Sequence, residues 1–314
     1  HTSYGAVRGY EYRTQSGFIG EIFKKIPYAA APIGRRRWSK PVPPESWNYT
    51  LDGTFFGPAC AQHDAFWSGG GRALSEDCLT LNIYTSIQCR ESNASCPVVV
   101  YVHGGSALFG GTSEFPDETL ISNFAMQGVI MVTVGYRLGV FGMMALGDDK
   151  ALPANLAIHD VIESLRFIRR EIHRFGGDKN QVCVMGNSTG ATIVLALVFS
   201  PGINKSGEIP LFTRAIVMST SAIFEDEAKQ VNRSVKVAAH LGVLVRTNNI
   251  KIRYTLFRPF REVLAGAWEV GGPDPFSLTH ISGIPVAGEL MPIHNMKELR
   301  ENQKNHMSQL ANSP

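Results

Sequence analysis

The stretch "VCVMGNSTGATIVLALV", Val182 to Val198, runs apolar, turns through Gly-Asn-Ser-Thr-Gly, and runs apolar again. The first run is short and β-branched, as a covered strand would be, and the second has the length of a helix. Two readings of Ser188 are open on this pattern. It is either a nucleophile raised on a sharp turn or a serine that merely caps the helix after it. With 31 glycines in 314 residues, a serine flanked by glycines carries little weight alone. Its setting carries more. A chain that passes from strand to helix with no loop forces the turn residue into a strained conformation. Gly186 and Gly190, lacking Cβ atoms, let the two elements close around it.

Outward from this turn, strands and helices alternate. "PVVVYVHGG" (Pro97 to Gly105) and "GVIMVTVGYRLGV" read as strands covered on both faces. "LAIHDVIESLRFIRREIHRFGGD" places Leu156, Ile158, Val161, Ile162, Leu165, Phe167, Ile168 and Ile172 on one side of a long helix that "GGD" ends. "QVCVM" is a short strand, "RAIVMSTS" a further buried strand, and helices are expected near 225–241 and 254–268. The first third shows β-like alternation in "GAVRGYEY", "GFIGEIFKKIPYA" and "LTLNIYT". This order implies a mostly parallel sheet with helices on both faces, in one domain. In such a sheet Ser188 stands at the carboxyl ends of the strands, where open α/β sheets place their sites. The helix starting at Thr189 turns backbone amides toward the same spot.

Composition excludes several classes. Hydrophobic residues at 44% and charged residues at 18% exclude a disordered chain. A formal charge of +3, with "GRRRW" the one basic run, argues against a nucleic-acid partner and for a solvated loop or a local ion-pair cluster. No apolar run reaches the ~20 residues of a membrane span. The chain opens "HTSYGAV" with neither an initiator Met nor an apolar signal segment, as in a processed chain or a fragment.

Of the five cysteines, Cys89 and Cys96 bracket "RESNAS", a polar loop suited to a bridged hairpin between two strands. Cys60 and Cys78 flank a glycine-rich loop, and Cys183 within "QVCVMG" reads as a buried, inert thiol. None of these spacings is that of a metal site, and no cofactor motif occurs. Sequons begin at Asn48, Asn93, Asn204 and Asn232 in polar surroundings. Bridged loops and accessible sequons together favour secretion or the secretory-pathway lumen.

Several longer stretches carry a resemblance. "AAAPIGRRRWSKPVPPESW", "SEDCLTLNIYT", "HGGSALFGG", the block from "YRLGVFG" through "MGNSTGA", "LFTRAIVMSTSA" and, faintly, "GIPVAGELMP" occur in this order between about Tyr4 and Pro292. The chain resembles the type-B carboxylesterase and cholinesterase family of α/β-hydrolases. The resemblance implies an α/β-hydrolase fold and hydrolysis of a small-molecule carboxylic ester through an acyl-serine intermediate. Ser188 takes the nucleophile's place. The amides of Gly105, Ser106 and Thr189 take the oxyanion hole, and Cys60 and Cys78 take the family's first disulfide. Ser106 stands where the family has a third glycine, Thr189 where it has a smaller residue, and Asn187 where it has an acid. Asn187 formally begins a sequon, but the turn should bury it.

The mechanism needs a base for the Ser188 proton and an acid to orient the base, in the chain order Ser, Asp/Glu, His. By the resemblance the acid lies just past "QLANSP" and the histidine further on, so the fold is expected to be truncated at the carboxy-terminal side. His240, His280, His294 and His306 are then surface residues. A non-catalytic binding module of the same family and an inactive short product are the alternatives. The sequence leaves the ester and the oligomeric state undetermined.

Overall fold

The computed structural model describes residues 1–63, 73–91, 95–147, 149, 152–200, 203, 210–220, 224–225, 227–242, 258–271 and 284–285. The amino-terminal strands are β1 (Ala6–Arg8), β2 (Tyr10–Arg13), β3 (Ile19–Pro27), β4 (Thr50–Asp52), β5 (Ala59–Cys60), β6 (Leu74–Ser75) and β7 (Thr80–Ser86). There follow α1 (Ile87–Glu91), β8 (Cys96–Val102), α2 (Asp117–Asn123), β9 (Ile130–Val134), α3 (Gly139–Met143) and α4 (Leu156–Glu171). β10 (Gly177–Asn187), α5 (Thr189–Phe199), β11 (Arg214–Met218), β12 (Phe224–Glu225), α6 (Glu227–His240), α7 (Phe260–Gly271) and β13 (Ile284–Pro285) complete the described elements.

Seven strands form the central sheet in the order β11-β10-β8-β9-β7-β3-β2. The half from β11 to β9 is parallel, and β7, β3 and β2 add to it antiparallel. Alternation along each strand divides the core between two faces. Val98, Val100 and Val102 of β8, Ile130, Val132 and Val134 of β9, and Val182 and Val184 of β10 pack with Leu156, Val161, Leu165 and Ile168 of α4 and Ile193 and Val194 of α5. Tyr101, Met131 and Tyr84 point the other way, against Leu120 and Ile121 of α2. Helices therefore cover both faces, and the parallel half carries the Ser188 turn.

The α4 helix ends through a 3-10 turn, Ile172–Phe175, and Gly176 at φ +86°. A side chain there would be strained and would also meet the Cys89 carbonyl at 2.1 Å. The next strand is longer than "QVCVM", starting at Gly177.

Two expectations are corrected. "RAIVMSTS" forms β11, but the strand is exposed rather than buried, with Ile216, Val217 and Met218 at 43%, 38% and 37% exposure. It lies at the sheet edge, paired to β10 alone among the described residues, and an apolar run does not reveal how many neighbours its strand has. Cys89 and Cys96 do not staple a hairpin, because β9 lies between β7 and β8 and Cys89 sits on α1. The bridge instead ties α1 to the start of β8, with a Cα–Cα distance of 5.6 Å. The basic run combines both expected features: Arg35 and Arg36 are exposed, whereas Arg37 is buried with both arms on Glu76, at 2.5 and 2.6 Å.

Candidate active site

Register brings the site together. Val102, the last residue of β8, pairs with Gly186, and Asn187, the last of β10, pairs with Met218, the last of β11. The residues after these parallel strands, His103-Gly104, Ser188 and Ser219, thus emerge side by side. Ser188 has φ 55° and ψ −123°, a region L-residues rarely occupy, and its amide donates to Met218 O at 2.9 Å. The next residue already begins α5.

A serine that only capped α5 would accept a hydrogen bond from an amide of the first turn. The Ser188 side chain makes no capping bond, and its hydroxyl has no hydrogen-bond partner among the described residues. The capping reading is therefore set aside, and the hydroxyl is left for other work.

Glycines make the geometry possible. A Cβ on Gly190 would lie 2.1 Å from Val102 O and 2.5 Å from His103 O, and one on Gly186 would lie 2.4 Å from Gly190 O. A Cβ on Gly104 would meet Asn187 O at 2.8 Å and Ser188 Cβ at 3.1 Å. The "HGG" loop thus abuts the serine turn. Gly190→Ala is expected to destabilise the fold by about 1–3 kcal/mol, because the obstacles are backbone carbonyls and α5 has to move off the end of β8. Urea unfolding measures this, and a variant as stable as the wild type would show that the close approach is dispensable.

The loop from Gly105 to Phe109 closes on itself. Gly105 has φ +104°, and its carbonyl accepts from the amides of Leu108 and Phe109 at 2.9 and 3.1 Å. Ser106 and Ala107 also have positive φ, at 54° and 56°. Ser106, expected to stand in a glycine's place, therefore holds a conformation that favours glycine. No hydrogen bond from the amides of Gly105, Ser106 or Thr189 occurs among the described residues. These three amides are therefore unpaired among the described residues, and Gly104, just before two of them, abuts Ser188.

His103 backs this loop. It is buried, its Nδ1 lies 2.8 Å from Gly104 O, and its ring stacks on Tyr136 at 4.4 Å between centroids. The Tyr136 hydroxyl donates to His103 O at 2.7 Å. Burial lowers the imidazole to about 4, only partly opposed by the bond to Gly104. At neutral pH it is an uncharged scaffold. As pH falls from the ordinary imidazole range near 6.5 toward about 4, the unfolded chain takes the proton and the folded one resists it. Stability from His103 is thus complete above that window and lost on descending through it. The expected loss is on the order of 3 kcal/mol. It is read by comparing the pH dependence of urea unfolding with that of His103→Asn; parallel curves would refute the assignment. Of the groups facing the ring, Glu114 Oε1 at 3.8 Å is the one that would attract a proton there.

The remaining expected positions divide. Cys60–Cys78 and Cys89–Cys96 are bridged, and Cys183 is free but half-buried, its thiol pushed up by burial. Asn48 and Asn232 are exposed, and Asn187 is half-buried rather than enclosed. Asn93, Asn204, His280, His294 and His306 lie outside the described residues. His240 is on the surface, paired with Glu269 at 2.7 Å. No helix of the described residues is long and apolar enough to cross a membrane. Sequence reasoning missed Tyr136 and Gln62, whose roles are tertiary and leave no local signal.

Known proteins share this fold. A carboxylesterase of Geobacillus stearothermophilus matches with a TM-score of 0.78 and 30% identity, over 96% of this chain and 58% of that one. The fold is therefore that of the α/β-hydrolases. The profile of the Carboxylesterase family matches residues 1–311, and the chain belongs to that family. Juvenile hormone esterase of Tribolium castaneum is 37% identical over 71% of this chain and 36% of its own length. Carboxylesterase 3B of Mus musculus is 37% identical over 72% and 40%. A carboxylic ester hydrolase of Bombus ignitus is 32% identical over 92% and 53%. The chain thus spans 36% to 58% of the length of these relatives.

Proposed function

We propose that this protein is a carboxylic ester hydrolase in which Ser188 is acylated and then deacylated by water. The observation that carries the reading is an uncapped serine at φ 55° beside a loop and helix start whose amides at Gly105, Ser106 and Thr189 have no hydrogen-bond partner among the described residues. Ser188 Oγ attacks the ester carbonyl carbon while a base takes its proton. The tetrahedral oxyanion is held by the amides of Gly105, Ser106 and Thr189. Collapse of that intermediate expels the alcohol, which leaves with the proton, and water attack on the acyl-serine releases the acid. Base and orienting acid come, on this reading, from outside the described residues. Names of relatives support an ester as substrate class.

One apolar cluster running from Ile26 to Val263 supports treating the chain as a single α/β-hydrolase domain. Two disulfides, with Asn48 and Asn232 exposed for glycosylation, support a secretory-pathway location. The catalytic reading is tested by reaction of the natural full-length protein with a fluorophosphonate. Labelling that mapped to a residue other than Ser188 would move the nucleophile there, and no labelling at all would favour a non-catalytic member of the family.

A further inference from the structure

The oxyanion loop is gripped at its exit by a side chain that takes no part in the chemistry described above. Gln62, two residues after Cys60, is 2% exposed. Its Oε1 accepts from the Gly110 amide at 2.9 Å, and its Nε2 donates to Gly110 O at 2.9 Å and to Cys60 O at 3.1 Å. Both ends of the carboxamide are thus satisfied, and one side chain holds both polar groups of one glycine. That glycine is wedged in place. At Gly110, φ is +116°, and a Cβ would meet His103 Nδ1 at 2.5 Å and Gly104 O at 2.9 Å. Gly110 therefore lies back to back with the residues that precede the oxyanion donors, and Gly104 in turn abuts Ser188.

We propose that Gln62 is a positioning residue for the oxyanion hole, holding Gly110 so that the Gly104–Ser106 backbone keeps its place beside Ser188, with the Cys60–Cys78 bridge as its anchor. A side chain that filled space would need only bulk. Gln62 instead matches a donor and an acceptor to the one backbone unit that leans on His103 and Gly104. The bridge fixes the Gln62 backbone from outside the sheet, with Cα atoms 5.0 Å apart. Loss of the carboxamide leaves a buried amide and carbonyl unpaired and lets the loop drift. A drift of an ångström at oxyanion donors costs the transition state far more than the bound ester.

This inference rests on the ester-hydrolase reading, and the experiment separates the two. Wild type, Ser188→Ala, Gln62→Ala and Gln62→Glu are prepared in the natural full-length protein. Turnover of a short-chain aryl ester and amide hydrogen exchange are then measured. Gln62→Ala is expected to lower kcat about 10- to 100-fold with KM within about twofold, and to speed exchange in the peptide 104–111 selectively. Gln62→Glu keeps the acceptor for the Gly110 amide but turns a carboxylate toward two carbonyls. Its kcat relative to wild type should rise as pH falls and the introduced carboxyl regains a donor. Unchanged kcat and unchanged exchange in Gln62→Ala would overturn the inference. So would faster exchange spread over the whole chain, which would make Gln62 a general stabiliser. A wild type without Ser188-dependent turnover would overturn the ester-hydrolase reading, and the 104–111 exchange would still decide whether Gln62 holds the loop.

Discussion

Replacing Ser188 with Ala is expected to abolish fluorophosphonate labelling and to cut ester turnover by about 10⁴-fold or more, leaving the fold intact. The size follows from what the side chain does on the proposed mechanism. Without Oγ no acyl-enzyme forms, and what survives is the stabilisation that oxyanion donors give to attack by water. Stability should change little. The hydroxyl caps nothing, has no hydrogen-bond partner among the described residues and is half-exposed, so its removal orphans no buried group. Alanine tolerates φ 55° about as poorly as serine does. A Ser188→Gly variant should therefore be the more stable of the two and equally inactive. Active-site labelling followed by peptide mapping, with kcat/KM for a short aryl ester, tests the claim. Turnover in Ser188→Ala within tenfold of wild type would move the nucleophile elsewhere. So would labelling that persisted in the variant.

Much of this was legible in the sequence because its signals are local. Gly186 and Gly190 announce a close approach of strand and helix, and the structure supplies the contacts that require them. The period of α4 and the β-branched run of β8 place their elements closely, whereas the run 128–140 yields a strand only over Ile130–Val134, its end from Gly139 turning into α3. Tertiary facts were not legible. That β9 inserts between β7 and β8 is a matter of sheet order, and no property of "RESNAS" encodes it. β11 reads like any covered strand because its composition is set by what it can bury, while its exposure is set by which neighbours it has. The site divides the same way. Ser188 and the "HGG" loop lie at chain reversals and leave motifs. Gln62 and Tyr136 act across 48 and 33 residues of separation, and their bonds go to backbone groups that look alike in every sequence.

Arg137→Met is expected to be strongly destabilising, by about 3–5 kcal/mol. The Arg137 side chain is 3% exposed and that of Asp160, on α4, is 0% exposed. The guanidinium meets the carboxylate through Nε at 2.8 Å and Nη2 at 2.6 Å, and the Arg137 amide adds a bond to Oδ2 at 3.1 Å. Nη1 donates to the carbonyls of Arg37 and Ser39, both at 3.0 Å. Methionine fills much of the volume but strands one buried carboxylate and two carbonyls together. Burial already holds the Asp160 carboxyl above the ordinary carboxylate range, against the pull of Arg137. Without that pull it rises further, so the folded variant holds a proton that the unfolded chain gives up. Its deficit should then be smallest in acid and grow as pH rises through the carboxylate range. Asp160→Asn in the same chain should recover part of the loss at neutral pH, because an amide needs no counter-charge. Urea unfolding of the single and double variants at two pH values decides the matter. A single-variant deficit below about 1 kcal/mol would mean that the pair only offsets its own desolvation. The consequence reaches the site, since Arg137 follows Tyr136, whose hydroxyl and ring hold His103. A variant still folded but free to shift at Arg137 should therefore label more slowly at Ser188, by a path that begins at an ion pair and ends at the Gly104–Ser106 backbone.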